Sequence, residues 1–227
     1  MRVTEASALT PLLLSLKVAG WATLMASLFG TGLAWVLAST RFPGREWLDA
    51  CLTLPMVLPP TVLGYYLLVV LGAHGVLGSH LQHWFGIRLV FSWQGAVLAA
   101  AIVVLPLVLK PARAAFESVD PHLEDAASSL GLTGAAIFWR VTLHLAWPGI
   151  LSGVTLAFAR ALGEFGATLM VAGSIPGETQ TLSLAVYEAV QAGNDALANL
   201  LVILISMVCL LALVLSRKLA HAGKAVR

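Results

Sequence analysis

Five stretches of this chain carry no Asp, Glu, Lys or Arg: residues 18–40, 50–87, 89–109, 141–159 and 196–216. Each is about as long as the ~20 residues that cross a hydrocarbon layer, or longer. A soluble domain does not space its charges this way. Charged residues make up 11% of the sequence, against a usual ~25%, and the mean hydropathy is +0.91. The pattern predicts an all-α, polytopic membrane protein with about five spans in a single transmembrane domain covering residues 1–227.

The expected spans are 9–38, 48–72, 93–115, 146–171 and 196–216. The first stays apolar far beyond a 7–15-residue signal-peptide core, so it is read as a retained span. Basic residues divide unevenly between the connections. Arg41, Arg45, Lys110, Arg113, Arg140, Arg217, Lys218, Lys224 and Arg227 fall on one side, and Arg2, Lys17 and Arg88 on the other. The positive side faces the cytoplasm. That predicts an outside N-terminus, a cytoplasmic C-terminus and a cytoplasmic segment 116–145. Cys51 and Cys209 lie in or beside apolar runs and read as small buried hydrophobes.

The cytoplasmic segment contains DPHLEDAASSLG, residues 120–131. Asp120 suits an N-cap and Pro121 the first helical position. Glu124 and Asp125 favour the positive end of the helix dipole, and Gly131 suits the position just past the C-terminus. Leu123, Ala126, Ala127 and Leu130 share one face at i, i+3, i+4 and i+7. Such a short helix is unstable alone, so something must cover that face. A membrane surface is one candidate. The acids disfavour anionic lipid and the small alanines permit close approach of another backbone, which favours a protein partner.

The same stretch resembles the cytoplasmic motif of ABC-importer permeases: E-A-A, three residues, Gly, nine residues, Ile-x-Leu-Pro. Here it reads Asp125-Ala126-Ala127, then Gly131, then Val141-Thr142-Leu143-His144. Asp replaces Glu (with Glu124 adjacent), Val replaces Ile, and His144 replaces Pro, leaving Pro148 to supply any bend. Within that family, LPMVLPPTVLGYYLL (54–68) and FARALGEFGATLMVAGSIPGETQT (158–181) look like molybdate permeases, with sulfate permeases close behind. The chain is short for a sulfate permease and leaves no room for an extra N-terminal span. The resemblance covers roughly residues 10–218.

The resemblance implies a type I importer transmembrane domain. Glu124, Asp125, Ala126, Ala127, Leu130 and Gly131 would form the coupling helix, seated in a separate ATPase subunit. Two permease copies would pair as a homodimer in the bacterial inner membrane, with two cytoplasmic ATPase subunits. A periplasmic or lipid-anchored binding protein would deliver molybdate, with tungstate, sulfate or thiosulfate as alternatives. ATP and Mg would belong to the ATPases, with no cofactor in this chain, no nucleic-acid partner and no catalytic residue of its own.

Two features lie inside the expected spans. Arg160 and Glu164 stand four apart, each costing ~2.5–3.5 kcal/mol at a helix centre. They read either as a structural ion pair or as a border of the anion path. Pro55, Pro59 and Pro60 remove backbone donors from one span. Either they kink it for packing, or Pro59, Pro60 and Thr61 mark the path wall. His74, His80 and His83 share an outer connection without an acid or Cys to complete a metal set. The loop, with Trp84 and Trp93, suits a membrane interface. The sequence has no phosphate-binding G-x-x-x-x-G-K-[ST] run and no G-x-S-x-G or H-E-x-x-H. An autonomous transporter or channel is a competing class, although five spans without a repeat fit it poorly. A membrane enzyme is another, without a catalytic cluster to support it.

Overall fold

The computed structural model describes residues 2–222, with side chains for 8–214. Lys224 and Arg227 of the basic tail lie outside the described residues, as do the side chains of Arg2, Arg217 and Lys218. The described chain is helical. Four helices are long and apolar enough to cross a membrane: Ala8–Ser39, Trp93–Glu117, Gly134–Leu162 and Asp195–Val214. A fifth crossing is a pair, Arg45–Val57 and Pro60–Leu71, bent by 115°.

In chain order α1 is Arg2–Ser39, α2 Arg45–Val57, α3 Pro60–Leu71, α4 Val76–Phe85 and α5 Trp93–Glu117. There follow α6 Pro121–Ser129, α7 Gly134–Ile137, a π-helical stretch Phe138–Thr142 and α8 Leu143–Leu162. The remainder is α9 Gly166–Ala172, α10 Leu182–Gln191 and α11 Asp195–Ala222.

α5 is the hub, packed between α1 and α8. The contact faces are built from small residues: Ala19, Ala22 and Ala26 of α1, Ala96, Ala99 and Ala100 of α5, and Ala157 and Ala161 of α8. In a membrane, helices associate by close packing, and small side chains let backbones approach. Two glycines of α8 make the closest approaches: a Cβ on Gly149 would stand 2.5 Å from Ala115 Cβ, and one on Gly153 2.9 Å from the Leu107 carbonyl oxygen. α1 and α5 run parallel, with the Lys17 ammonium 3.5 Å from the Trp93 ring centroid at one end. At the other end Leu37 and Ala34 pack with Leu109, Ala112 and Phe116. α8 runs antiparallel to both.

Two expected spans are not continuous helices. The stretch 48–72 breaks because each residue before a proline is pushed to extended backbone. Leu58 precedes Pro59 (φ −70°, ψ 141°) and Pro59 precedes Pro60 (φ −55°, ψ 136°). Two successive extended residues end α2, and Pro60 restarts the chain as the first residue of α3. Pro55, by contrast, stays inside α2. The stretch 146–171 also breaks: α8 stops at Leu162, and Gly163, Glu164 and Phe165 intervene before α9.

The second halves of the two broken spans, α3 and α9, pack on each other through glycines. A Cβ on Gly64 would meet Met170 Cβ at 2.7 Å and Ala167 Cα at 2.9 Å. Replacing Gly64 with valine is expected to cost ~1–3 kcal/mol by overpacking. The thermal midpoint of the detergent-purified protein should fall by several degrees. An unchanged midpoint would show that α3 and α9 part freely.

Candidate functional site

The two breaks lie side by side. A Cβ on Gly166 would stand 2.9 Å from Pro60 Cβ and 3.3 Å from the Thr61 nitrogen. The predicted path residues are thereby gathered: Pro59, Pro60 and Thr61 on one broken span, Arg160 and Glu164 on the other. Pro59, Pro60 and Thr61 are exposed on the chain's surface, with Tyr65 and Tyr66 one turn further along α3. Gly153 packs at the level of Leu107 and Val108, near the middle of α5. At ~1.5 Å per residue, Arg160 lies ~10 Å from that level, toward the Trp93 end.

Glu164 has two jobs. Its Oε2 is 2.7 Å from Arg160 Nη1. Its Oε1 accepts a hydrogen bond from the Ala167 N–H at 3.0 Å and so caps the first turn of α9. The Glu164 side chain is 1% exposed and that of Arg160 38%. The pair is therefore asymmetric: the carboxylate is fixed inside the protein, while the guanidinium reaches the surface with donors to spare. The Phe165 ring meets Tyr187 of α10 at 5.2 Å between centroids, closing one side of the break.

The second region is α6, at the opposite end of the bundle. The Asp120 carboxylate accepts from the His122 N–H at 3.0 Å, and Pro121 takes the first helical position. At the other terminus Gly131 adopts φ +83°, the Gly131 N–H donates to Ser128 O and the Leu132 N–H to Ala127 O. This double closure satisfies two of the last carbonyls. Both ends of a nine-residue helix are thus tied locally. Ala127 is buried against the chain itself, whereas Leu123, Ala126 and Leu130 are exposed, Leu130 by 85%. Glu124 turns inward and accepts from the Thr142 hydroxyl, fastening α6 to the start of α8. Asp125 stays on the surface. A cavity of roughly 650 Å3 lies beside α6, bordered by Trp35, Arg41, Phe116, Glu124 and Phe138.

Sequence reasoning missed a third cluster, at the same end as α6. Arg45 Nη2 is 2.8 Å from Glu117 Oε1, which also takes Arg113 Nε at 2.9 Å. Asp49 takes Lys110 Nζ at 2.8 Å and Arg113 Nη1 at 3.1 Å. The spacing held a signal: Arg45 and Asp49 are one turn apart, and Lys110, Arg113 and Glu117 follow at i, i+3 and i+7. The connection between α3 and α5 also differs from a simple loop. It contains α4, and His74, His80 and His83 line an open cavity of about 720 Å3 with Trp84.

The family model for the binding-protein-dependent transport system inner membrane component matches residues 12–226. The chain belongs to that family. The permease is 47% identical over 214 residues to the molybdenum transport system permease protein ModB of Escherichia coli (strain K12), covering 93% of each chain. It is 41% identical over 204 residues to the putative molybdenum transport system permease protein YvgM of Bacillus subtilis (strain 168), covering 90% of each. Among solved structures, a chain of the inward-facing MetNI methionine ABC transporter superposes with a TM-score of 0.78 over 98% of this chain and 99% of that one. That similarity, at 16% identity, concerns the fold. The permease is therefore a multi-pass inner-membrane subunit of an ABC transporter, with the helical architecture of importer transmembrane subunits.

Proposed function

We propose that two copies of this permease form the translocation path of a molybdate importer, driven by separate ATPase subunits on the cytoplasmic side. The observation that carries the mechanism is α6: a helix fixed at both ends that presents leucines to the outside. A preordered apolar knob costs little entropy to dock, which suits a groove in a protein partner. Its acids disfavour a resting place on anionic lipid. The basic residues Arg41, Arg45, Lys110, Arg113 and Arg140 fall at the α6 end, which supports a cytoplasmic α6, an outside N-terminus and an inside C-terminus. The substrate reading draws on the molybdenum relatives.

In this reading a binding protein delivers the anion to the α4 side. Nucleotide binding draws the two α6 knobs together and switches the path from inward-open to outward-open, and hydrolysis resets it. Each state must offer different contacts to its ligands for such a switch to work. Arg160, partly exposed and paired with Glu164, suits a transient anion contact. A bare buried cation would hold an oxyanion too long for it to leave. ATP and Mg act on the ATPase subunits.

The test is the complex reconstituted in vesicles with its binding protein. Molybdate-loaded binding protein is expected to stimulate ATP hydrolysis severalfold more than sulfate-loaded protein, with tungstate resembling molybdate. Equal stimulation by all three would overturn the substrate assignment. Uptake by the permease alone, without ATPases, would overturn the importer reading.

A further inference from the structure

We infer that Glu117 is a positioning residue that carries movement of the α6 knob to α2, and through α2 to the paired helix breaks. The inference rests on the importer reading above. α2 is an unusual half-span: none of its 13 residues is buried. Leu48 and Leu52 rest half-buried on the cluster around Leu37 and Leu109, and the firmer attachments are at its two ends. One end is the Leu58–Pro59 break, beside which Pro60 abuts Gly166, two residues after Glu164. The other end is ionic, where Arg45 and Asp49 of the first two turns meet Glu117, Arg113 and Lys110 of α5.

The position of Glu117 in the chain is what gives this clamp a mechanical role. It is the last residue of α5, and only Ser118, Val119 and Asp120 separate it from α6. That link is not slack. The Ser118 N–H donates to Ala114 O, the Val119 N–H to Phe116 O, and the Ser118 hydroxyl to Ala115 O at 2.8 Å. Asp120 is engaged as the α6 cap. A pull on α6 therefore reaches Glu117 directly. Glu117 Oε1 is shared by Arg113 of its own helix and Arg45 of α2, so the carboxylate joins the two elements at one atom. From there α2 spans about 20 Å to the break, at ~1.5 Å per residue.

α8 is the other route from α6, through Glu124 and Thr142, but α8 is packed along its length against α5 and α1. α2, with no residue buried, is the less embedded of the two. Ion pairs at this exposure are individually weak, so the clamp can steer α2 without locking it. A double-mutant cycle measures the coupling between Glu117 and Arg45 directly.

The cycle uses the full complex in vesicles and reads molybdate imported per ATP hydrolysed. Glu117→Gln and Arg45→Gln are each expected to lower that ratio about tenfold, with the double variant no worse than the worse single one. Glu46→Gln, on the same turn of α2 but outside the ion pairs, should keep the wild-type ratio. Losses that multiply to about a hundredfold would overturn the link, as would ratios that stay at wild type. A parallel fall in hydrolysis and uptake would make Glu117 a strut and nothing more, which also overturns it. Arg45→Gln leaves the Glu117–Arg113 pair in place and reports the link by itself if Glu117→Gln fails to assemble. A wild-type complex that burns ATP and imports sulfate but no molybdate would tell against the substrate reading instead, and the cycle would be run with sulfate.

Discussion

Glu164→Gln is expected to lower molybdate uptake at least tenfold while the complex still assembles with its ATPases. Glutamine keeps an oxygen for the Ala167 N–H, so α9 stays capped. What it removes is the negative charge beside Arg160. The guanidinium then faces the path unneutralised, and in a site of low dielectric an oxyanion dwells there longer. A tenfold slower release corresponds to about 1.4 kcal/mol of extra binding. Glu164→Ala removes the charge and the cap together, and leaves a cavity in a buried position. It should lose uptake and also lower the thermal midpoint, since capping alone is worth ~0.5–2 kcal/mol. The two variants separate charge from structure by comparing initial uptake rates with thermal unfolding in detergent. Wild-type uptake by Glu164→Gln would remove the pair from the path.

Leu130→Asp should abolish co-purification of the ATPase subunits and leave the permease itself intact. Leu130 is 85% exposed, so the isolated chain has little to lose, within ~0.5 kcal/mol for such surface changes. At the centre of a docked interface the same change buries an unpaired carboxylate, and a loss of 2 kcal/mol or more is the scale of an anchor residue. Affinity would fall by roughly thirtyfold or more. Size-exclusion chromatography of the detergent-solubilised complex reads the outcome, with the permease's own thermal midpoint as control. Ala127 is a poorer probe because it packs inside the chain, where a larger side chain disturbs the knob itself. Retained ATPase association in Leu130→Asp would place the docking surface elsewhere.

The architecture was legible in the sequence because charge placement is a one-dimensional signal. Lipid excludes charge, so the crossing segments announce themselves without any knowledge of contacts. The ends of α6 were legible for a similar reason: Asp120, Pro121 and Gly131 act on their own neighbours. The break at Leu58–Pro59 lay behind the prolines, although its 115° turn did not follow from them. The break at Gly163–Phe165 had no proline to mark it. It depends on Glu164 reaching both Arg160 and the α9 cap, and on Gly166 meeting Pro60, a contact more than 100 positions away in the chain. The α2–α5 ion pairs were hidden likewise, since their partners lie 61 to 72 positions apart. α4 and α10 were hidden for a different reason: each is only ten residues long, inside a segment that reads as a connection.

The π-helical stretch Phe138–Thr142, where the Leu143 N–H reaches back to Phe138 O, has a consequence for how this fold can change. Such a turn holds one residue more than the α turn it replaces. Each residue of an α-helix advances the azimuth by about 100°. The stretch sits between Gly134 and Arg160, so its residue count sets the angular phase of the whole of α8 relative to the knob. Most surface connections tolerate a gained or lost residue at small entropic penalty. Here a single deletion would swing Arg160 about a quarter-turn around its axis, away from the break it now faces, so insertions and deletions in this short stretch act ~30 Å away, at ~1.5 Å per residue.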